Sequence, residues 1–486
     1  MFIRRVKSRR SVCFQIGQKY YGRFKLIKHV GCATVPAEIE ALKTKAKQEL
    51  QNLIRENQLV LFPQTQKTLR AKLLSWHITG YHQVFGKVYD SIGLPNNMLR
   101  DLVIARIVYP KSKAATVRYL ARYLGIVLDR DAVYRFLDAL DKSRLTQIAF
   151  KYVSDKNNGI SLFFYDVTTL YFETETEDAL RKKGFSKDHR IDTPQILIGL
   201  FVDHEGYPFD FNVFEGNTFE GHTFQTAIKN LTKKYDFTEL TVVADAAMLS
   251  KDNLSFLDTH HINYIVGARI KNMNKEITNE IITHDFSKNR VYEIRLNNQR
   301  LIVEYSKDRA KKDARNREKT IEKLRHKLKE GRRVIYKSKY LFLKKQSKIY
   351  GIDEKKIETD KKFDGLKGYI TNKNNNHPFS EIISQYHNLW KIEKAFRMSK
   401  GDLKERPVYH QNIKRIKSHL VLCFISLLVL REAENTLSKK KYSIEKSIEV
   451  LGKVGQGEVR IGNVKIEIDS ELDYEAETIL KLFKGH

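Results

Sequence analysis

The chain has 486 residues, with 88 Lys+Arg against 58 Asp+Glu and a formal net charge of +30. A hydrophobic fraction of 41%, with 11% aromatic residues, supplies material for real cores, and only eight prolines exclude collagen-like and proline-rich architectures. The longest apolar run, Leu420 to Leu430, has 11 residues where a bilayer span needs about 20. The N-terminus lacks the apolar stretch of a signal peptide, so a soluble cytoplasmic protein without a membrane partner is expected.

Residues 1–30 hold nine Lys/Arg and no acid, and their alternating β-formers read as a small hairpin. Three cysteines (Cys13, Cys32 and Cys423) make no CxxC pair, cannot build a disulfide framework or a cysteine-rich zinc site, and fit a reducing compartment. Residues 36–60 read as a helix with Pro36 near its start. From 96 to 142 three segments repeat apolar residues at helical spacing. They carry Arg118, Arg122, Arg130 and Arg135, and read either as a helix-turn-helix-like DNA reader or as a plain bundle.

The texture changes at 160, where ISLFFYDVTTLYFE reads as a buried strand running into Asp166. Residues 195–217 read as a hairpin about His204–Gly206. EGNTFEGHTF (215–224) reads as a loop, and a helix is expected over 222–235. LTVVADAAML (240–249) is a buried strand ending at Asp245. A helix with Ser250 as N-cap follows, then a strand NYIVGAR. This order predicts an α/β sheet. Residues 270–370 interrupt it, with a hairpin turning at Asn297–Asn298, a basic helix over 308–330 and a further strand. Residues 307–348 hold 18 Lys/Arg against five acids. A strand resumes at 363–372. One helix is expected over 379–400, a more apolar one over 413–437, and then a hairpin and helix with acids from Glu467 to Glu477.

Two separate basic runs in so basic a chain point to a polyanion, because each neutralised phosphate releases counterions and adds affinity. Asp166 and Asp245 each end a buried strand, where a charge must be exposed or paired. The carboxyl ends of strands in α/β sheets are where ligands bind. Glu393 lies on the later helix. Convergent carboxylates suit Mg²⁺, a hard cation.

FYDVTTLYFE, VVADAAMLS and YHNLWKIEKAFRMSK resemble the three catalytic blocks of DDE-class insertion-sequence transposases, in the cut-and-paste branch with a Tyr–Arg–Glu–Lys signature. Tyr386, Glu393 and Lys400 match that signature at full spacing, and Leu389 stands where Arg is expected. Lys391 or Arg397 are the candidates to replace that Arg. Glu393, Arg397 and Lys400 share one helix face. The resemblance, over about residues 95–435, implies an RNase H-like catalytic core with a β-rich insertion domain, beside an N-terminal, mostly helical DNA-binding region. It implies Asp166, Asp245 and Glu393 as a metal-binding triad holding two Mg²⁺, with Mn²⁺ able to substitute. Relatives of this branch often stack a flipped base on an aromatic. The two tryptophans, Trp76 and Trp390, lie outside the insertion, which leaves Tyr305, Tyr336 and Tyr340 for that part. Thr168 and Thr169, His222 and His410 are further candidates for DNA or active-site contacts, or for structural roles.

The expected function is a DNA transposase that binds its element's ends, frees a 3′-hydroxyl and joins it to target DNA. Double-stranded DNA is the expected partner, a homodimer the active form, and the bacterial nucleoid the place. Tyr386, Lys391, Arg397 and Lys400 would position phosphates, and Lys311, Lys312, Arg315, Lys319 and Lys323 would bind DNA from the basic helix. The expected divisions are 1–60, a basic hairpin and helix; 61–158, a helical end-binding region; 159–269 and 363–437, the two parts of the core; 270–362, the basic insertion; and 438–486, a tail. The alternatives are a nuclease on the same core that does not join strands, and a non-catalytic DNA-binding descendant of a transposase.

Overall fold

The computed structural model describes residues 1–8, 11–61, 71–184, 192–246, 250–329, 340–344 and 349–485. The chain divides into two compact units, Met1–Ser75 with Gly457–Ile468, and Trp76–Gln456 with Asp469–His486.

In the first unit the expected hairpin is a three-stranded antiparallel sheet of Phe2–Lys7, Val12–Tyr20 and Arg23–Ala33. Tyr21 and Gly22 turn between the last two strands at φ 48° and 79°, a left-handed turn that matches strand twist. The helix Pro36–Leu61 covers one face, and Val12, Phe14 and Ala46 are buried between sheet and helix. Cys13 and Cys32 stand opposite each other on paired strands and are joined as a disulfide. This corrects the expectation of unbridged cysteines: strand register creates the pair, and sequence spacing gives no sign of it. Cys423 is free and buried.

The second unit is built on an eight-stranded mixed sheet. Its strands are β1 (Leu162–Tyr171), β2 (Gln195–Asp203), β3 (Pro208–Glu215), β4 (Thr241–Ala244), β5 (Asn263–Ala268), β6 (Val291–Leu296), β7 (Gln299–Tyr305) and β8 (Leu366–Thr371). They lie in the order β6-β7-β8-β5-β4-β1-β2-β3. β1, β4 and β5 are mutually parallel, and every other neighbouring pair is antiparallel. The five strands β3-β2-β1-β4-β5 thus have the order and senses of an RNase H-like core. β6 and β7, with Asn297 at φ 53° in their turn, lie in the stretch expected to interrupt the sheet. They extend it instead, because β7 pairs along all of β8.

Near-continuous burial along β1 and β2 requires cover on both faces. Alternation along β1 decides which side chain meets which cover. The Tyr165 hydroxyl bonds Thr223, 3.0 Å away on the helix Glu220–Lys234. From the other face Thr168 meets Lys400, on the helix Trp390–Gly401. The apolar run Leu420–Leu430 is buried within the helix Ile413–Ser438, which packs on β3 and on the helices Met98–Val108, Arg130–Asp138 and Lys142–Lys156. Those three helices share one hydrophobic core with the sheet, a bundle built onto it, with Arg118, Arg122, Arg130 and Arg135 exposed. Among the described residues no helix is long and apolar enough to cross a membrane.

The helix expected over 379–400 is two helices, Phe379–His387 and Trp390–Gly401. The Leu389 N–H bonds the Tyr386 carbonyl, a tightened turn that breaks the α-ladder and lets Leu389 bury. The stretch 215–224, expected as a loop, is a turn only to Phe219; the helix begins at Glu220 and includes His222. Strand Ala71–Ile78 and helix Ile444–Leu451 were not anticipated from the sequence.

Candidate active site

β1 and β4 run side by side in parallel, with Tyr165 opposite Ala244. The next residue on each chain is an aspartate, so Asp166 and Asp245 occupy neighbouring positions at one end of the parallel pair. Asp166 is half-buried and Asp245 exposed. The Asp245 carboxylate accepts its own following amide, Ala246 N–H, at 2.7 Å and the Tyr386 hydroxyl at 3.4 Å.

Tyr386 comes from the helix Phe379–His387, which packs over β4 and β5. Its hydroxyl lies directly over Gly267 of β5, where a Cβ would collide with it. Burial first, and then the Asp245 charge, hold the Tyr386 phenol above its ordinary pKa, so it remains a hydrogen-bond donor. Its ring carries the Lys367 ammonium 4.5 Å from its centroid. Burial and the nearby Arg309 lower the Lys367 pKa, against the opposing pull of Glu304, Asp245 and Glu393. Tyr369, next but one on β8, donates to Glu304, which also lies 2.8 Å from His387 Nε2. Two acids of the candidate triad therefore share a neighbourhood with two cations and a buried tyrosine.

Glu393 and Arg397 are exposed one turn apart on the helix Trp390–Gly401, and Lys400 continues their row to Thr168 of β1. The row thus runs from the neighbourhood of Asp245 to the strand that carries Asp166. Thr168 holds Lys400, whereas Thr169 is buried on the opposite face. Among the described residues no three His, Cys, Asp or Glu side chains already stand together as a metal-holding group. The donors themselves suit a hard divalent cation: carboxylate oxygens from two adjacent strand positions and from a helix, two of the three exposed.

Other expected contacts fall elsewhere. Lys391 projects away from this row. Its ammonium donates to the His204 carbonyl at 2.7 Å, in the β2–β3 turn, where Arg431 also bonds the Glu205 carbonyl at 3.0 Å. Two residues before Glu393 on a helix is a different face, and there Lys391 clamps a turn. Lys311, Lys312, Arg315, Lys319 and Lys323 are all exposed on the helix Lys307–Lys329. Its buried side carries Leu324 and Arg317, and Arg317 forks onto Asp364. Tyr340 is buried and donates to Asp360 at 2.6 Å, so it offers no stacking face; Tyr305 is half-buried, and Tyr336 lies outside the described residues.

Lys367, Arg309 and Gly267 escaped the sequence reading. A lysine inside the otherwise buried strand LKGYIT was the available signal for the first. Arg309 and Gly267 gain their significance only from sheet order and helix placement.

A family model described as a transposase DDE domain matches residues 157–429. No curated protein matches the sequence. Among solved structures, the chain is similar to the piggyBac transposase synaptic complex with hairpin DNA, over 77% of this chain and 76% of that one, at 11% identity and a TM-score of 0.40. The Mos1 transposase paired-end complex with left transposon end is similar over 32% of this chain and 53% of that one, at 10% identity and a TM-score of 0.17. The Mos1 mariner paired end complex with Mn covers 32% and 54%, at 11% identity and a TM-score of 0.16.

Proposed function

The chain belongs to the transposase DDE-domain family and is a DNA transposase, a metal-dependent polynucleotidyl transferase; from that premise we propose that Asp166, Asp245 and Glu393 are its catalytic acids. The observation that supports this reading most is the register of β1 and β4, which gives Asp166 and Asp245 neighbouring positions where the parallel pairing ends, in a sheet whose β1 and β2 are covered by the helix of Glu393.

The three carboxylates would hold two Mg²⁺ ions. When bound, such ions polarise the scissile phosphate and lower the pKa of the attacking water or 3′-hydroxyl. The chain's own residues do the rest. Arg397 and Lys400, on the face of Glu393, position phosphates of the cleaved strand. Lys367 adds positive charge where the phosphorane-like transition state gathers negative charge. Tyr386, held protonated, orients Asp245 through its hydroxyl. The exposed lysines of Lys307–Lys329 supply sequence-independent affinity for DNA. Because two element ends are processed together, the active form is a homodimer on DNA.

The test uses purified protein, a labelled duplex carrying an end of its element, and Mg²⁺. Cleavage that leaves a 3′-hydroxyl, followed by joining, supports the reading. Cleavage without joining favours the nuclease alternative, and binding without cleavage the non-catalytic one.

A further inference from the structure

A cavity of about 310 Å³ lies away from the three acids, between the loop after the helix Met98–Val108 and the segment Lys404–His410. Its walls include Arg106, Lys111, Lys113, Lys404, Arg406 and His410, and no carboxylate lines it. Arg106 is 6% exposed and Lys113 4% exposed. Arg106 spends its two terminal nitrogens on the carbonyls of Lys111, at 3.3 Å, and Lys404, at 2.7 Å, so it ties the two walls together; its Nε has no partner. No hydrogen bond or ion pair among the described residues compensates the Lys113 ammonium. Glu405, buried behind the wall, bonds Ser399 and partly offsets the Arg106 charge. Asp138 is engaged with Arg415 at 3.6 Å.

Burying cations without a counter-charge is costly. The surroundings register that cost: His410 is pushed down to about 4 by burial and then by Lys113, Arg415 and Arg106, and Lys113 itself is lowered to about 8 by burial and Arg106. Each of these effects is relieved by an anion in the cavity.

The cavity's place suggests which anion. The Val408 N–H bonds the Tyr171 carbonyl at the end of β1, at 3.2 Å, and Arg406 stacks 5.5 Å over the Tyr171 ring. Tyr171 is five residues beyond Asp166 on the same strand, about 17 Å of extended chain. Lys404 and Tyr409, at the mouth, are exposed.

Resting on the transposase reading, we propose that this cavity is a second phosphate-binding site, which seats on Lys113 and Arg106 a backbone phosphate of bound DNA away from the scissile bond. It fixes the register of the strand over the acids and takes no part in the chemistry.

The test compares wild type with Lys113→Met, Lys113→Arg and the rim variant Lys404→Gln, each first checked for an unchanged melting transition. Affinity for a mixed-sequence duplex is measured across salt concentrations, and inorganic phosphate is titrated separately. Loss of one phosphate contact should flatten the slope of log K against log salt by about 0.9 in Lys113→Met, with Lys113→Arg restoring it and Lys404→Gln shifting it the same way. If Lys113→Met does not fold, Lys404→Gln decides. Unchanged slopes would overturn the proposal and leave the transposase reading intact. Inorganic phosphate bound through Lys113 with an unchanged DNA slope would mean a small-anion site and would also overturn it. A wild-type protein that binds no duplex at any salt would defeat the transposase reading and this proposal with it.

Discussion

Single residues set what the site can do, and they divide by how they were legible. Asp166 and Asp245 stand out as candidates because each directly follows a buried apolar run, where a charge must be exposed or paired; either alone also fits a structural role, and the pair beside two basic runs is what raises the functional reading. Glu393 and Lys400 could be read because a helix puts positions seven apart on one face. For Lys391 spacing alone does not say which face its neighbours cover; in the structure its ammonium bonds the His204 carbonyl. Replacing Lys391 by Gln should therefore leave the salt dependence of DNA binding unchanged and lower stability by about 1–2 kcal/mol, as chemical denaturation would measure. Lys400→Gln should instead weaken DNA binding and flatten its salt slope. Gly267 has room for no side chain beneath the Tyr386 hydroxyl. Gly267→Ala should displace Tyr386 from Asp245 and reduce cleavage with little loss of binding, and adding Tyr386→Phe should cost little more, since both changes break one contact.

At the scale of elements, hydropathy patterning found nearly every strand of the sheet, and it found the Ser250 cap, whose side chain accepts from Asn253 N–H at 3.1 Å. It failed where tertiary packing overrode a local pattern. The signature helix breaks because Leu389 buries better in a tightened turn, and the hairpin at Asn297 joins the sheet because β8 offers an open edge. The basic helix illustrates both sides: its charge pattern marked the exposed face, while the Arg317–Asp364 fork that docks it was invisible. Changing Lys311, Lys312, Lys319 and Lys323 to Gln should leave the melting temperature nearly unchanged and flatten the salt slope by about 0.9 for each lysine that meets a phosphate. An unchanged slope would turn this helix away from DNA.

The β2–β3 turn carries a pH signature of its own. Asp203 is fully buried and accepts the N–H groups of Tyr207 at 2.6 Å and Glu205 at 3.2 Å. Burial outweighs these bonds and raises its pKa to about 6. The unfolded carboxyl titrates near 3.9, so between about pH 4 and 6 the native state binds more protons than the unfolded one. This contribution to stability is fully present below about pH 4 and is lost as pH rises through about 6. Denaturation midpoints over that window should show a decline that Asp203→Asn removes.

At the largest scale, one core of the second unit joins the sheet to the helices between residues 98 and 156, so the region expected as a helical end-reader packs on the same body as the candidate acids. Sequence alone could suggest a bundle there, but long-range contacts, of the helix Lys142–Lys156 with β3 and of all three helices with Ile413–Ser438, make it one with the sheet. That shared body is what holds the two strands and the helix that carry the candidate acids. The sharpest test is therefore the single-acid series, Asp166→Asn, Asp245→Asn and Glu393→Gln, assayed for cleavage of an element-end duplex with Mg²⁺ alongside binding to the same duplex. Each variant should bind DNA about as tightly as wild type, because phosphate contacts elsewhere dominate affinity. Each should lose cleavage and joining together by at least about 10²–10³-fold, and the triple variant should be scarcely worse, because groups that act as one unit are non-additive. A Glu393→Gln protein that cleaves at the wild-type rate would contradict the assignment, and three near-wild-type variants would remove the catalytic site from these residues altogether.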